Sequence, residues 1–195
     1  MTRHATISRC TNETTINLQL TLDGSGQVHC NTGVGFLDHM LTLWAAHGVF
    51  DLRVEASGDL HVDAHHTTED VGICLGLAWK EALGNAMGIV RFASGIFPMD
   101  DALVDVAVDL GNRPYLHFDI PFPKTKIGTF DAELVQEFWH AFVTNARLNL
   151  HLVARHGHNL HHLSEATFKG VGVSLYRAIQ VDPRKQGVPS TKGVL

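Results

Sequence analysis

The chain has 195 residues, 45% of them apolar and 18% charged, with 18 glycines and 6 prolines, a composition that excludes disordered and collagen-like classes. Fifteen Lys and Arg against 20 Asp and Glu give a net charge of −5, so no global grip on nucleic acid is expected and any anion site must be local. The longest apolar run, Val71 to Trp79, is too short to cross a bilayer, and three cysteines without a CxxC pair, together with a polar start, read as a cytoplasmic protein with no membrane partner.

Thr14 to Leu22 alternates polar and apolar residues at period two, the pattern of a half-buried strand, and Asp23-Gly24 supplies a turn. A second strand leads towards Thr32-Gly33. Phe36 to His47 places Leu37, Met40, Leu41 and Trp44 at helical spacing and stops at Gly48. Phe50 to Ala56 alternates again, and a loop at Gly58-Asp59 leads to His65-His66-Thr67-Thr68-Glu69-Asp70 and a helix ending at Gly84. The stretch around Gly95 to Pro98 reads as a linker. Ala102 to Leu110 and Tyr115 to Ile120 then read as strands, Ala132 to Ala146 as a helix and Leu148 to Ala154 as a strand. The loop Gly157-His158-Asn159 is followed by His161-His162-Leu163-Ser164-Glu165 and a helix to about Ile179. Helix, strand, loop, His-His-x-x-Glu, helix thus occurs twice, and a repeated order of this kind marks an internal duplication. The expectation is an α+β fold of two similar halves, 1–92 and 93–195, each an antiparallel sheet covered on one face by two helices.

Histidine is the unusual total, at 14 residues, and neutral imidazole is the commonest protein ligand for transition metals. If each second helix starts at its histidine pair, His65 with Glu69 and His161 with Glu165 share a face at i,i+4 spacing. His66 and His162 project about 100° away and must serve a different site. The economical arrangement exchanges them, within a chain or between chains. Aligning the halves sets Glu137 opposite His39, which gives the ligand sets His39, His66, His161, Glu165 and His65, Glu69, Glu137, His162, with His140 a competitor to Glu137. Such nitrogen and carboxylate sets suit Mn, Fe, Zn or Ni. His47, His117 and His151 read as ordinary packed histidines.

At these residues the sequence resembles the imidazoleglycerol-phosphate dehydratase family of histidine biosynthesis. The resemblance rests on Phe36-Leu37-Asp38-His39-Met40, Asp63 to Asp70, Pro98-Met99-Asp100, Arg113-Pro114-Tyr115-Leu116, His161 to Lys169 and Pro189-Ser190-Thr191-Lys192-Gly193, and runs from about Arg9 to Lys192. It implies two Mn²⁺ per active site, held by the histidines and carboxylates above. Many members carry histidine where this chain has Glu137, and a carboxylate can still ligate Mn²⁺. Val173 and Tyr176 stand where arginines are frequent. The implied reaction converts imidazoleglycerol phosphate to imidazole acetol phosphate plus water, through a metal-bound imidazolate and a diazafulvene-like intermediate. Glu13 is the implied acid/base and substrate contact. Arg91, Arg113, Lys169, Ser190, Thr191 and Lys192 are implied to bind the substrate and its phosphate. The resemblance also implies a homo-oligomer of 24 subunits with metal sites at subunit contacts. Two rival classes use the same ligand types: a dinuclear metallohydrolase acting on a small phosphorylated substrate, and a non-enzymatic metal-binding protein. The cations Arg91, Arg113, Lys169 and Lys192 favour the dehydratase over both.

Overall fold

The computed structural model describes residues 2–194. The first half runs β1 (His4–Cys10), β2 (Thr14–Thr21), β3 (Val28–Asn31), α1 (Gly35–Gly48), β4 (Asp51–Gly58) and α2 (His65–Leu83). The second repeats that order with β5 (Phe92–Met99), β6 (Ala102–Asp109), β7 (Tyr115–Asp119), a short hairpin of β8 (Lys126–Ile127) and β9 (Phe130–Asp131), α3 (Leu134–Ala146), β10 (Asn149–His156) and α4 (Leu160–Ala178). The strand orders match as well, β1-β2-β4-β3 in one sheet and β5-β6-β10-β7 in the other. Both sheets are antiparallel except where β3 meets β4 and β7 meets β10, which run parallel. The exception follows from the chain path, because α1 and α3 are the crossovers that a parallel pair requires.

Alternation decides which sheet face is covered. In β2, Thr14, Ile16, Leu18 and Leu20 point inward, and in β6 Ala102, Val104, Val106 and Val108 do the same. Each half's helices pack on its own sheet, while α1 packs on α4 and α2 on α3. Helices from opposite halves therefore meet in the middle of the molecule. The largest buried side chains sit there, Trp44, Trp79, Trp139, Phe138, Phe142 and Phe168, in edge-on and tilted contacts such as Trp44–Trp79 at 6.1 Å and Trp139–Phe168 at 4.6 Å, geometries that aromatic quadrupoles favour. Among the described residues no helix is long and apolar enough to cross a membrane.

The linker expected at Gly95 to Pro98 is instead part of β5. The strand tolerates both breakers because it lies at the sheet edge, where the missing proline N–H breaks no ladder bond. A Cβ on Gly95 would fall 2.7 Å from the Phe97 ring, which would have to turn aside to admit a side chain there. Strand β1 carries no alternation strong enough to read, since Ala5 alone is fully buried in it.

The two central helix crossings depend on equivalent glycines. A Cβ on Gly76 of α2 would lie 2.6 Å from the Phe142 carbonyl of α3, and one on Gly172 of α4 would lie 2.3 Å from the Trp44 carbonyl of α1. Backbone cannot yield as a flexible side chain can, so Gly76→Ala and Gly172→Ala should each destabilise the protein by about 1–3 kcal/mol through overpacking. Gly35→Ala, where a Cβ meets nothing within 4 Å, should be neutral. Chemical denaturation of the three variants checks this, and equal midpoints would remove the close-approach constraint.

Candidate metal and substrate site

Both histidine pairs sit in the first turn of a helix, and local capping puts them there. The Asp63 carboxylate accepts the His65 backbone N–H at 2.7 Å at the start of α2. At the start of α4 the Asn159 side-chain carbonyl accepts the N–H groups of His161 at 2.9 Å and His162 at 3.4 Å. These contacts satisfy donors that a helix start leaves unpaired.

With α4 so fixed, His161 and Glu165 lie one turn apart, and His161 Nε2 is 3.0 Å from Glu165 Oε1. His39 reaches the same oxygen from α1, its Nε2 at 3.1 Å. The ligand atoms of these three residues all lie within 4.8 Å of one another, the one such group among the described residues. Phe36 closes one side, edge-on to the His161 ring at 5.2 Å. Lys169, a turn further along α4, donates to Glu165 Oε2 at 2.6 Å and also reaches Met99 Sδ at 3.4 Å. Burial pushes the Glu165 carboxyl up, but hydrogen bonds from Lys169, His39 and His161 with the Lys169 charge outweigh it and hold the group at about 2.

His66 and His162 point elsewhere and resemble each other. His66 Nδ1 lies 2.9 Å from Asp59 Oδ2, and its Nε2 lies 3.7 Å from Glu13 Oε1. His162 Nδ1 lies 2.7 Å from Asp101 Oδ1, and its Nε2 lies 3.6 Å from Asp100 Oδ2. The Asp59 hydrogen bond, against the cost of desolvation, raises the His66 pKa above its usual value. Asp101 is held well below the ordinary carboxylate range by the His158 N–H, the His162 ring and the Asn159 N–H. Asp59, Asp100 and Asp101 escape sequence reasoning as loop acids outside any helical or strand spacing, although Asp100 lies inside the Pro98-Met99-Asp100 motif.

The other predicted ligands are partly exposed. His65 and Glu69 share a face of α2, Glu137 lies in the first turn of α3, and α2 packs on α3. They form no group as tight as that around Glu165, and His140, on the same helix as Glu137, is exposed. Glu13 stands in the β1–β2 turn with its side chain 53% exposed, its backbone N–H held by Thr11 Oγ1 at 3.1 Å.

Most of the predicted phosphate-binding residues line a separate open cleft of about 610 Å³, formed by Arg91, Arg113, Ser190, Thr191 and Lys192 with their neighbours. Arg91 is the fixed member. Its guanidinium grips Asp109 through Nε at 2.7 Å and Nη2 at 3.1 Å, donates from Nη1 to the Pro189 carbonyl at 2.8 Å and lies 4.5 Å from the centre of the Phe92 ring. Its backbone φ of 80° is left-handed, a strained conformation for an arginine. Lys169 does not line this cleft, being engaged at Glu165.

A profile of imidazoleglycerol-phosphate dehydratases matches residues 32–175. The chain belongs to that family. A relative from Geobacillus thermodenitrificans named imidazoleglycerol-phosphate dehydratase is 57% identical over 195 residues, covering 100% of both chains. One from Trichlorobacter lovleyi with the same name is 55% identical with the same coverage. The crystal structure of the Staphylococcus aureus imidazoleglycerol-phosphate dehydratase superposes with a TM-score of 0.84 at 41% identity, over 92% of this chain and 99% of that one. That of the Pyrococcus furiosus family member gives 0.83 at 39% identity, over 97% and 100%.

In the metal-stripped protein the depressed Glu165 pKa is a stability statement. A carboxyl whose folded value, about 2, lies below its ordinary 4.5 contributes stability that is complete above pH 4.5 and lost as pH falls through about 2. Lys169→Met removes the strongest of the favourable contacts. Its deficit against the parent should therefore be full at neutral pH and shrink to nothing towards pH 2. Denaturant midpoints across that range check this, and a deficit independent of pH would assign Lys169 a packing role instead.

Proposed function

We infer that this chain is a dehydratase that converts imidazoleglycerol phosphate to imidazole acetol phosphate plus water, a step of histidine biosynthesis. The observation that carries the reading is the meeting of His39 with His161 and Glu165 from opposite halves, inside a chain that belongs to the dehydratase family. Two imidazole nitrogens and a carboxylate oxygen within 4.8 Å, with the carboxylate buried and ionised, form a donor set suited to a divalent transition metal. We assign two Mn²⁺ per active site, held by His39, His66, His161 and Glu165 and by His65, Glu69, Glu137 and His162. When bound, the ions supply Lewis acidity that lowers the pKa of the substrate's ring N–H.

His66 and His162 turn away from the ligands of their own chain's opposite half, so we read the sets as completed between chains, in a homo-oligomer of 24 subunits. Glu13 is the proton carrier. Its carboxyl faces the same imidazole edge as His66 Nε2, it is exposed enough to meet a substrate, and it can give a proton to the departing hydroxyl oxygen and accept the one that leaves carbon. Arg91, braced by Asp109, presents a planar fork to phosphate oxygens without having to order itself on binding. Arg113, Lys192, Ser190 and Thr191 complete the anion cleft around it, while Lys169 serves the phosphate from the metal side.

Mn²⁺-loaded protein incubated with imidazoleglycerol phosphate should yield the enol or ketone absorbance, and release of inorganic phosphate in its place would favour a hydrolase. Glu13→Gln should lower kcat by about 10²–10⁴-fold, whereas Lys192→Met should act chiefly on KM. Equal effects on kcat and KM in both variants would dissolve this division of labour. A chelator should give smaller, inactive species in size-exclusion chromatography, and an unchanged elution volume would argue against ligands shared between chains.

A further inference from the structure

We propose that Asp59 and Asp101 are positioning residues that hold the rings of His66 and His162 with Nδ1–H turned towards the protein and Nε2 presented as the ligand atom. The inference rests on the reading of these two histidines as metal ligands and extends it to groups outside the ligand sets. An ionised carboxylate is an acceptor only, so an aspartate at Nδ1 requires the ring proton there and leaves the lone pair of a neutral imidazole on Nε2. The contacts are 2.9 Å for Asp59 Oδ2 and 2.7 Å for Asp101 Oδ1.

The two aspartates are not copies of each other. Asp59 follows β4, whereas Asp101 sits in the turn between β5 and β6. The duplicated histidines thus reach the same orientation through different loops, which a merely inherited contact would not do. The loops are themselves held. Asp101 Oδ2 accepts the backbone N–H groups of His158 at 2.7 Å and Asn159 at 3.0 Å. The Asp59 backbone N–H donates to the Glu13 carbonyl at 3.1 Å.

The far edge of the His162 ring meets a donor, and the far edges of both rings meet a carboxylate. Asn159 Nδ2 lies 3.4 Å from His162 Nε2, as a donor to an unprotonated nitrogen would. Glu13 and Asp100 stand at 3.7 and 3.6 Å from the two Nε2 atoms, adding negative potential where a cation would sit. Glu13 and Asp59 also share a backbone hydrogen bond, so the residue that orients His66 fixes the turn that carries the proposed proton carrier.

Metal-stripped, full-length protein titrated with Mn²⁺ alone, followed by calorimetry and by the EPR signal of free Mn²⁺, tests the proposal. Ligand-orienting carboxylates typically govern about 10–100-fold in metal affinity. Asp59→Asn should therefore weaken one class of site by that factor and Asp101→Asn the other, with stoichiometry retained in both and the melting temperature of the stripped protein retained in Asp59→Asn. Asp105→Asn, whose carboxylate pairs with Arg155 at 2.9 Å on the outer sheet face, should bind as the parent does. Asp59→Glu and Asp101→Glu, which keep the charge, should recover part of the loss. If Asp101 variants fail to fold because its loop is released, the Asp59 pair decides alone. Parental Mn²⁺ affinity in folded Asp59→Asn overturns the inference while leaving the ligand assignment intact, as does a lowered melting temperature with unchanged affinity. Absence of Mn²⁺ uptake by the unmodified protein defeats both.

Discussion

Two helices cannot bring their side chains into one cluster unless their backbones come close, and here the pairs that approach belong to opposite halves of the chain. At the α1–α4 crossing Gly172 faces the Trp44 carbonyl with no room for a Cβ, and at the α2–α3 crossing Gly76 faces the Phe142 carbonyl. The indoles of Trp44, Trp79 and Trp139 pack around these crossings in full burial, so the region is dense and transmits small changes of volume into helix displacement. His39 lies on α1 and His161 and Glu165 on α4, which makes their grouping a direct product of one crossing. A shift of about 1 Å between the helices would exceed the tolerance of a preorganised cluster.

Within that frame the charge balance of the group around Glu165 is local. A buried carboxylate is costly unless hydrogen-bonded and paired, and Glu165 is both, with two imidazoles on one oxygen and Lys169 on the other. Lys169 holds Glu165 ionised and in place beside the two imidazoles.

The duplication was readable because its signal is chemical as well as periodic. His-His-x-x-Glu at matching places in two helix-strand-loop-helix frames survives any ambiguity about where a helix begins, whereas the caps at Asp63 and Asn159 that fix the two helix starts emerged only in the structure. The pairing of α1 with α4 and not with α2 lay beyond reach, because amphipathic periodicity tells which face is buried but not against what. Strand β5 was hidden by Gly95 and Pro98, breakers that an edge position accommodates. Asp59 and Asp101 were illegible for a different reason. Each acts through one oxygen on one ring nitrogen brought close by loop geometry, and a single loop aspartate leaves no pattern in the sequence.

The halves also differ at corresponding places, and two positions mark the difference. Lys169 lies one turn beyond Glu165, and the equivalent place in α2, one turn beyond Glu69, is occupied by Ile73. The second predicted set holds two carboxylates, Glu69 and Glu137, against the single imidazole of His65 in its own chain, and neither carboxylate makes an ion pair among the described residues. Two carboxylates drawn together without a cation repel each other. The group around Glu165, with one carboxylate, two imidazoles and a lysine, closes on its own, whereas Glu69 and Glu137 have no such cation beside them among the described residues. The duplicated halves therefore differ in preorganisation: the α1–α4 crossing brings its three side chains together, and the α2–α3 crossing forms no group as tight among the described residues.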